Sequence, residues 1–322
     1  MQICIAGAGA IGCTLAALLA ESGLNVNVLA RGETLDAIQT NGIFLEDLEG
    51  EHTVSVNAKH DPNEFGIQDV VFLCTKTTAL EAIAEKIQPM IGPKTIIVPM
   101  INGLPWWYFQ GLNEETIETL DPNKVLATLL PAEQIIGCVT FMTAYRMAPG
   151  KVSAKNPHLM ILGEPNNQLS ERLERLRKLL EEAHIESRGV DNIRDQIWTK
   201  VCANLTSNPL SVVTQATLAQ VYGDPRLKPL VREMLDEVLL TAVAYGARIR
   251  FDPPTIMQMG EGMGDIRTSM LQDYNAGSPL ELNAIGYAVV ELANRVGISM
   301  PKTKQVLDLT HFIAEQRQVL NG

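Results

Sequence analysis

Three polar side chains in the stretch WTKVCANLTSNP are spaced to act together, since Lys200, Asn204 and Asn208 fall at i, i+4 and i+8. On a helix with about 3.6 residues per turn they share one face, while Trp198, Val201, Cys202 and Leu205 mostly take other directions. A cation followed by two amides suits a small ligand rich in oxygen. An ammonium group stabilises negative charge that develops on a neighbouring oxygen and can give up a proton to it. Lysine has an ordinary pKa of about 10.4, so it starts protonated. Burial lowers that value and a nearby carboxylate raises it. Glu281, near the start of the apolar segment PLELNAIGYAVVELA, is a carboxylate that completes such a site, and Ser269 in RTSMLQD adds a hydroxyl. Plainer readings stand beside these. The Lys–Asn face is also what an ordinary solvated face looks like, and Asn208 is a suitable C-terminal cap. Pro209 is expected to end or kink the helix just after Asn208. Glu281 suits the positive end of a helix dipole, and Ser269 caps or lines a helix.

A second set lies at the amino terminus. Gly7-Ala8-Gly9-Ala10-Ile11-Gly12 sits between a short apolar run, residues 2–6, and the helical pattern CTLAALLAESG, which Gly23 stops. Residues 25–30 (NVNVLA) read as the next strand. Strand, glycine loop, helix and strand make one βαβ unit, the context in which a GxGxxG pattern binds a dinucleotide. Gly7 permits the tight turn, Gly9 leaves room for the pyrophosphate, and Gly12 lets the helix approach the strand. The helix start then offers unpaired N–H groups to the phosphates. The second strand ends Leu29-Ala30-Arg31-Gly32, with no acid to hold the ribose hydroxyls. Arg31 can pair with a 2′-phosphate through its planar fork, so the expected cofactor is NADPH over NADH. Glu33 is an acid a little further on, and a solvated loop cation is the plain alternative for Arg31.

These sets need elements to hold them. Residues 69–75 and 95–100 read as strands buried on both faces, and 134–143 and 150–163 as later strands. Residues 78–91 are helical in period. After about 165 the pattern changes: 167–185, 191–208, 226–247, 253–262, 279–297 and 301–319 all read as helices. The expected fold is α/β, with an N-terminal Rossmann-type parallel-sheet domain over residues 1–165 and a C-terminal all-helical domain over 166–322. The chain has 322 residues, 46% of them hydrophobic, enough for a sizeable core. A formal charge of −11 argues against a nucleic-acid protein, which would need a basic stripe, though not against a local pocket for an anion. The five cysteines (Cys4, Cys13, Cys74, Cys138, Cys202) show neither a CxxC pair nor zinc spacing, so no metal is expected. They read as small buried hydrophobes. The apolar amino terminus lacks the basic region of a signal peptide, and no apolar run is long enough to span a membrane. A cytoplasmic protein is expected. The apolar C-terminal helices form either a homodimer surface or an internal core.

The sequence resembles the ketopantoate reductase (2-dehydropantoate 2-reductase) family through most of its length. The resemblance rests on GAGAIG at 7–12, Arg31, CTK ending at Lys76, and NG at 102–103. It continues through WTKVCANLTSNP at 198–209, TSMLQD at 268–273, and Glu281. It implies a Rossmann domain, a helical domain, and substrate in the cleft between them. It implies that Lys200 is the general acid that protonates the ketone oxygen while NADPH delivers hydride to carbon. Glu281 is implied to lie near substrate and lysine, and Asn204, Asn208 and Ser269 to bind the substrate hydroxyl and carboxylate. Lys76 and Asn102 are implied to sit where cofactor meets substrate, Asn102 contributing to both. The implied reaction reduces a 2-oxo acid to a 2-hydroxy acid, with ketopantoate to pantoate in pantothenate biosynthesis as the leading case. The run Leu104-Pro105-Trp106-Trp107-Tyr108-Phe109 departs from the family's small residues, and Gly262–Asp265 lacks an asparagine found there in some members. The aromatic run reads either as a helix packed at the domain interface or as a reshaped pocket mouth. Two alternatives therefore stay open: a different 2-oxo acid or opine-like substrate, and a non-catalytic NADP-binding redox sensor.

Overall fold

The computed structural model describes residues 1–113, 115–156 and 158–321, with side chains through 317. The chain forms two compact units. The first comprises Met1–Ile101, Phe109–Glu115 and Lys124–Ile193; the second comprises Asn102–Tyr108, Thr116–Asn123 and Arg194–Gly322.

In the first unit, strands β1 (Ile3–Ala6) and β2 (Val26–Leu29) flank helix α1 (Ala10–Glu21), followed by α2 (Gly32–Asn41). Then come β3 (Ile43–Glu46), β4 (Glu51–Val54), β5 (Asn57–Lys59), β6 (Val70–Leu73), α3 (Leu80–Lys86) and β7 (Ile96–Pro99). A five-stranded sheet runs in the order β5-β2-β1-β6-β7, and every pairing in it is parallel. The four residues of each of β1, β6 and β7 are buried, which explains their uninterrupted apolar sequences. The order reverses between β1 and β6, and ligands of such sheets bind beyond the strand ends at that switch point.

The unit continues with α4 (Val125–Leu129), β8 (Gly137–Thr140), β9 (Tyr145–Ala148), β10 (Lys151–Ser153), β11 (Leu159–Gly163), α5 (Glu171–Glu182) and β12 (Glu186–Gly189). Strands β4-β3-β10-β9 make a second sheet that packs over α1. Strands β12-β11-β8 make a third, tied to the first by a parallel bridge between Ile97 and Ile135. The region expected as a strand over 150–163 thus divides between two sheets.

The expected domain boundary at 165 differs from this division, because the first unit runs on to Ile193. The cause is a second crossover: β11 and β12 pair in parallel with α5 between them, and such a return needs a helix. Leu173, Leu176 and Leu180 of α5 are buried in the core of this unit, so the helix belongs with the sheet.

The second unit is helical: α6 (Ile193–Thr214), α7 (Leu218–Gly223), α8 (Lys228–Ala244), α9 (Pro253–Gly262), α10 (Ser269–Asn275), α11 (Ala288–Arg295) and α12 (Pro301–Asn321). A π-helical stretch, Asn283–Tyr287, leads into α11. Pro209 lies inside α6, which continues to Thr214, so the expected helix end after Asn208 is not there. Tertiary packing outweighs the lost hydrogen bond: Leu205 and Leu210 are buried, and Thr310 Oγ1 donates to the Pro209 carbonyl. The aromatic run 105–109 forms turns rather than a helix. Among the described residues no helix is long and apolar enough to cross a membrane, and no His/Cys/Asp/Glu group suits a metal ion. The five cysteines are free thiols; burial pushes Cys4, Cys13 and Cys202 up to about 12.

Candidate active site

The glycine loop follows β1 and opens α1, at the switch point of the sheet. Each glycine has a separate physical reason. Gly7 has φ +115°, and a Cβ there would stand 2.8 Å from Thr75 Cγ2 and 3.0 Å from the Cys74 carbonyl. A Cβ at Gly12 would stand 1.9 Å from the Gly7 carbonyl oxygen, so only glycine lets α1 begin this close to the loop. Gly9 is different: it is exposed, and its nearest neighbour would be the Cys74 oxygen at 4.0 Å. Packing does not require glycine at position 9. The open space above it suits a pyrophosphate approaching the N–H groups at the start of α1. Ala8, Ala10 and Ile11 are half-buried along the same turn.

Arg31 lies just past β2, at the N-cap position of α2. Its side chain is exposed and makes no hydrogen bond or ion pair among the described residues. Lys76 follows β6 on the other side of the switch point and is exposed. Gly7–Gly12, Arg31 and Lys76 therefore follow the carboxyl ends of neighbouring parallel strands, the arrangement expected of a dinucleotide site.

The second unit holds the other set. Lys200, Asn204 and Asn208 lie along α6, spanning roughly 12 Å of helix at 1.5 Å per residue. Lys200 and Asn204 are half-buried and Asn208 is buried, so this is not an ordinary solvated face. Asn208 is not a C-terminal cap either, since α6 continues beyond it. Trp198, Val201, Cys202 and Leu205, the intervening residues, are at most 1% exposed and anchor the opposite side of the helix.

Three contacts bring further residues toward this helix. Thr268, the N-cap of α10, shares a 2.6 Å hydrogen bond with Ser211 of α6. Ser269, the next residue, is exposed at the first position of α10; the cap is Thr268. The segment Asn102–Tyr108 is held at both ends. Leu104 N–H donates to the Ala284 carbonyl at 2.8 Å, three residues past Glu281. At its other end Tyr108 accepts from Trp198 Nε1 at 2.7 Å, and its carbonyl accepts from Arg194 Nε at 2.7 Å. Tyr245 stacks on Trp198 and meets Tyr108 edge-on. Asn102 is half-buried beside this contact. Glu281 is buried, and its carbonyl accepts the first helical bond, from Ile285 N–H, so it does sit at a helix start. Lys200 and Glu281 each have polar partners within the fold.

Local sequence signals did not reveal the Tyr108–Trp198 bond, which joins residues ninety positions apart. They also missed Glu291, whose carboxylate accepts from the Glu118 and Thr119 N–H groups and pairs with Arg295.

Known proteins place the chain in a family. The family model described as ketopantoate reductase PanE/ApbA matches residues 3–167, and that of its C-terminal part matches 192–314. The 2-dehydropantoate 2-reductase of Mesorhizobium japonicum is 35% identical over 322 residues, 98% of this chain and 99% of that protein. A crystal structure of a candidate ketopantoate reductase from Ralstonia solanacearum superposes with a TM-score of 0.93 at 36% identity, covering 98% of each chain. D-mandelate dehydrogenase, solved as a ternary structure with NADH and anilino(oxo)acetate, gives 0.86 at 22% identity over 98% of this chain and 99% of that one, a likeness of fold alone. With matching models over both parts of its length, the chain belongs to the ketopantoate reductase PanE/ApbA family of oxidoreductases.

Proposed function

We propose that this chain reduces a 2-oxo acid to a 2-hydroxy acid with NADPH, ketopantoate to pantoate being the leading case. The observation that carries the reading is the half-buried to buried Lys200–Asn204–Asn208 face in a member of a reductase family. Gly9, open and without a packing role, supports a bound dinucleotide, and Arg31, unpaired past β2, supports a 2′-phosphate. Gly7 to Gly12, through the backbone of Ala8, Ala10 and Ile11, would hold the pyrophosphate, and Lys76 and Asn102 would meet the nicotinamide end. Bound NADPH supplies the hydride.

Lys200 acts on the oxygen. Its ammonium hydrogen-bonds the ketone, stabilises negative charge there, and transfers a proton to oxygen as the C–H bond forms on carbon. It is left neutral and regains a proton from solvent. Glu281 is read, as the family resemblance implies, as lying near substrate and lysine. Asn204, Asn208, Ser269 and Asn102 bind the substrate hydroxyl and carboxylate. The enzyme is assigned to the cytoplasm, acting on a small molecule as a monomer or homodimer.

A second reading keeps the chemistry and changes the substrate. Trp106 and Trp107 are each 2% exposed, and among the described residues neither indole N–H has a hydrogen-bond partner. Buried donors without partners are uncommon, and these two lie in the run where the sequence departs from the family resemblance. A panel of 2-oxo acids, followed by NADPH absorbance, separates the two. Ketopantoate should give the highest kcat/KM. Lys200→Ala should lower kcat by roughly 10²- to 10⁴-fold while the NADPH dissociation constant holds. Full turnover in that variant would overturn the mechanism, and preference for another acid would select the second reading.

A further inference from the structure

Arg146 carries a role that neither the motifs nor the family resemblance assigns. It lies on β9, in the sheet that packs over α1, more than a hundred residues from Arg31. Its Nη2 donates to Thr34 Oγ1 at 3.2 Å. Thr34 is in the first turn of α2, three residues after Arg31. The same guanidinium is close enough to the Cys13 sulfur to draw its thiol pKa downward against the larger upward push of burial. Cys13 is in the first turn of α1, its N–H bonded to Gly9. Arg146 thus reaches the first turn of α2 from a strand that packs against α1. In a βαβ dinucleotide site the pyrophosphate lies at the start of α1 and the ribose 2′ position near the end of β2.

The pairing of Arg146 is also informative. Glu33 is adjacent to Thr34 in sequence, yet the guanidinium bonds the neutral hydroxyl and makes no ion pair among the described residues. Arg31 is likewise unpaired. In a chain with a formal charge of −11, two uncompensated arginines converge on one helical turn from different elements. A 2′-phosphate carries close to two negative charges, and one planar fork satisfies only part of its oxygens.

We propose that Arg146 is a second cation for the 2′-phosphate of NADPH, with Thr34 aiming it and Arg31 facing it. Two forks would then set the preference for the phosphorylated dinucleotide. The inference rests on the NADPH reading given above.

Binding tests it without turnover. Dissociation constants for NADPH and NADH, and for adenosine 2′,5′-bisphosphate and 5′-AMP, are measured by calorimetry on the wild type, Arg146→Met and Arg31→Met. Methionine keeps the apolar stem and removes the fork. Arg146→Met should weaken NADPH and the bisphosphate roughly 10- to 100-fold, the range for a lost charge-assisted hydrogen bond, and leave NADH and 5′-AMP within about twofold. The thermal midpoint of the ligand-free variant should match the wild type. Equal losses for both members of each pair would overturn the proposal, because Arg146 would then serve the shared part of the dinucleotide or the fold. Loss with Arg31→Met and none with Arg146→Met would overturn it while leaving the NADPH reading intact. A wild type that binds NADH as tightly as NADPH would overturn both.

Discussion

Replacing Gly103 by alanine tests whether the segment that presents Asn102 is held as described. Gly103 has φ +83°, a conformation that costs an L-residue about 1–2 kcal/mol. An added Cβ would stand 2.2 Å from the Ala284 oxygen, 2.3 Å from its carbonyl carbon and 2.7 Å from Ile285 N. All three are backbone atoms, so the segment itself must move away. That motion breaks the 2.8 Å bond from Leu104 N–H to the same carbonyl, and Leu104 is fully buried. Leaving those groups unpaired costs about 1–3 kcal/mol, for a total of about 2–5 kcal/mol. Tryptophan fluorescence is a selective probe, because Trp106, Trp107 and Trp198 all lie in the second unit. The urea midpoint read by fluorescence should fall. In the fraction that remains folded, KM for the 2-oxo acid should rise, because Asn102 is displaced relative to Glu281. The NADPH dissociation constant should rise less than KM, because the glycine loop belongs to the first unit and Asn102 would touch only the nicotinamide end. A wild-type midpoint together with a wild-type KM would refute the placement of Asn102.

Tyr108→Phe should destabilise the second unit by about 1–3 kcal/mol, since it leaves the buried Trp198 indole N–H without its acceptor. Adding Trp198→Phe should then cost less than it does in the wild type, a coupling read from urea midpoints followed by far-UV circular dichroism. His52 makes a pH prediction. Burial disfavours its charged form, but Asp47 and Glu21, at 3.1 and 2.7 Å, outweigh that and raise its pKa above 6.5. A raised folded value adds stability that is complete below the unfolded value and is lost as pH rises through the folded one. Thermal midpoints of the wild type should therefore decline from pH 6.5 upward in a way that His52→Gln does not share.

The glycine loop and the face of α6 were legible because their causes are local: a strand, three glycines and a helix in twelve residues, and a spacing of four on one helix. The domain boundary was not. Strand β12 reads Glu-Ser-Arg-Gly, and only Ser187 within it is buried, so no hydrophobic alternation marks it. It is a strand because β11 offers a parallel edge, and that edge is a tertiary fact. Pro209 does not end α6, for the opposite reason. The local rule is sound, since the ring removes a donor and crowds the preceding turn. Here Thr206 and Ser207 donate to the Cys202 and Ala203 carbonyls one turn earlier, and Ser211 donates to that of Asn208. The helix continues because its apolar side is packed on both sides of the proline, at Leu205 and Leu210. Arg146 had no sequence signal, since nothing near position 146 indicates that β9 returns to the glycine loop's helix.

Asn102 precedes Lys200 by nearly a hundred residues and yet joins the same unit, which requires a specific construction. The chain enters the second unit at Asn102–Tyr108, leaves it, and enters again at Thr116–Asn123 before the helices begin. Each entry is tied to the same stretch of chain. Residues 103–104 rest on Ala284, at the π-helical start that follows Glu281. Residues 116–119 are held by Glu291 and Arg295 of α11, two turns further along. A π-helical turn is wider than an α-turn and is found often at functional sites. Its position here, between Glu281 and the residues that grip the earlier segments, gives it a mechanical sense. Any displacement of residues 103–104 acts on the backbone that carries Glu281, and any change there acts on Asn102. The segments that carry Glu281 and Asn102 are thus fixed to one another by backbone contact. A single cut of the chain between 123 and 194 would leave Asn102 and the helices on which its position depends on separate pieces.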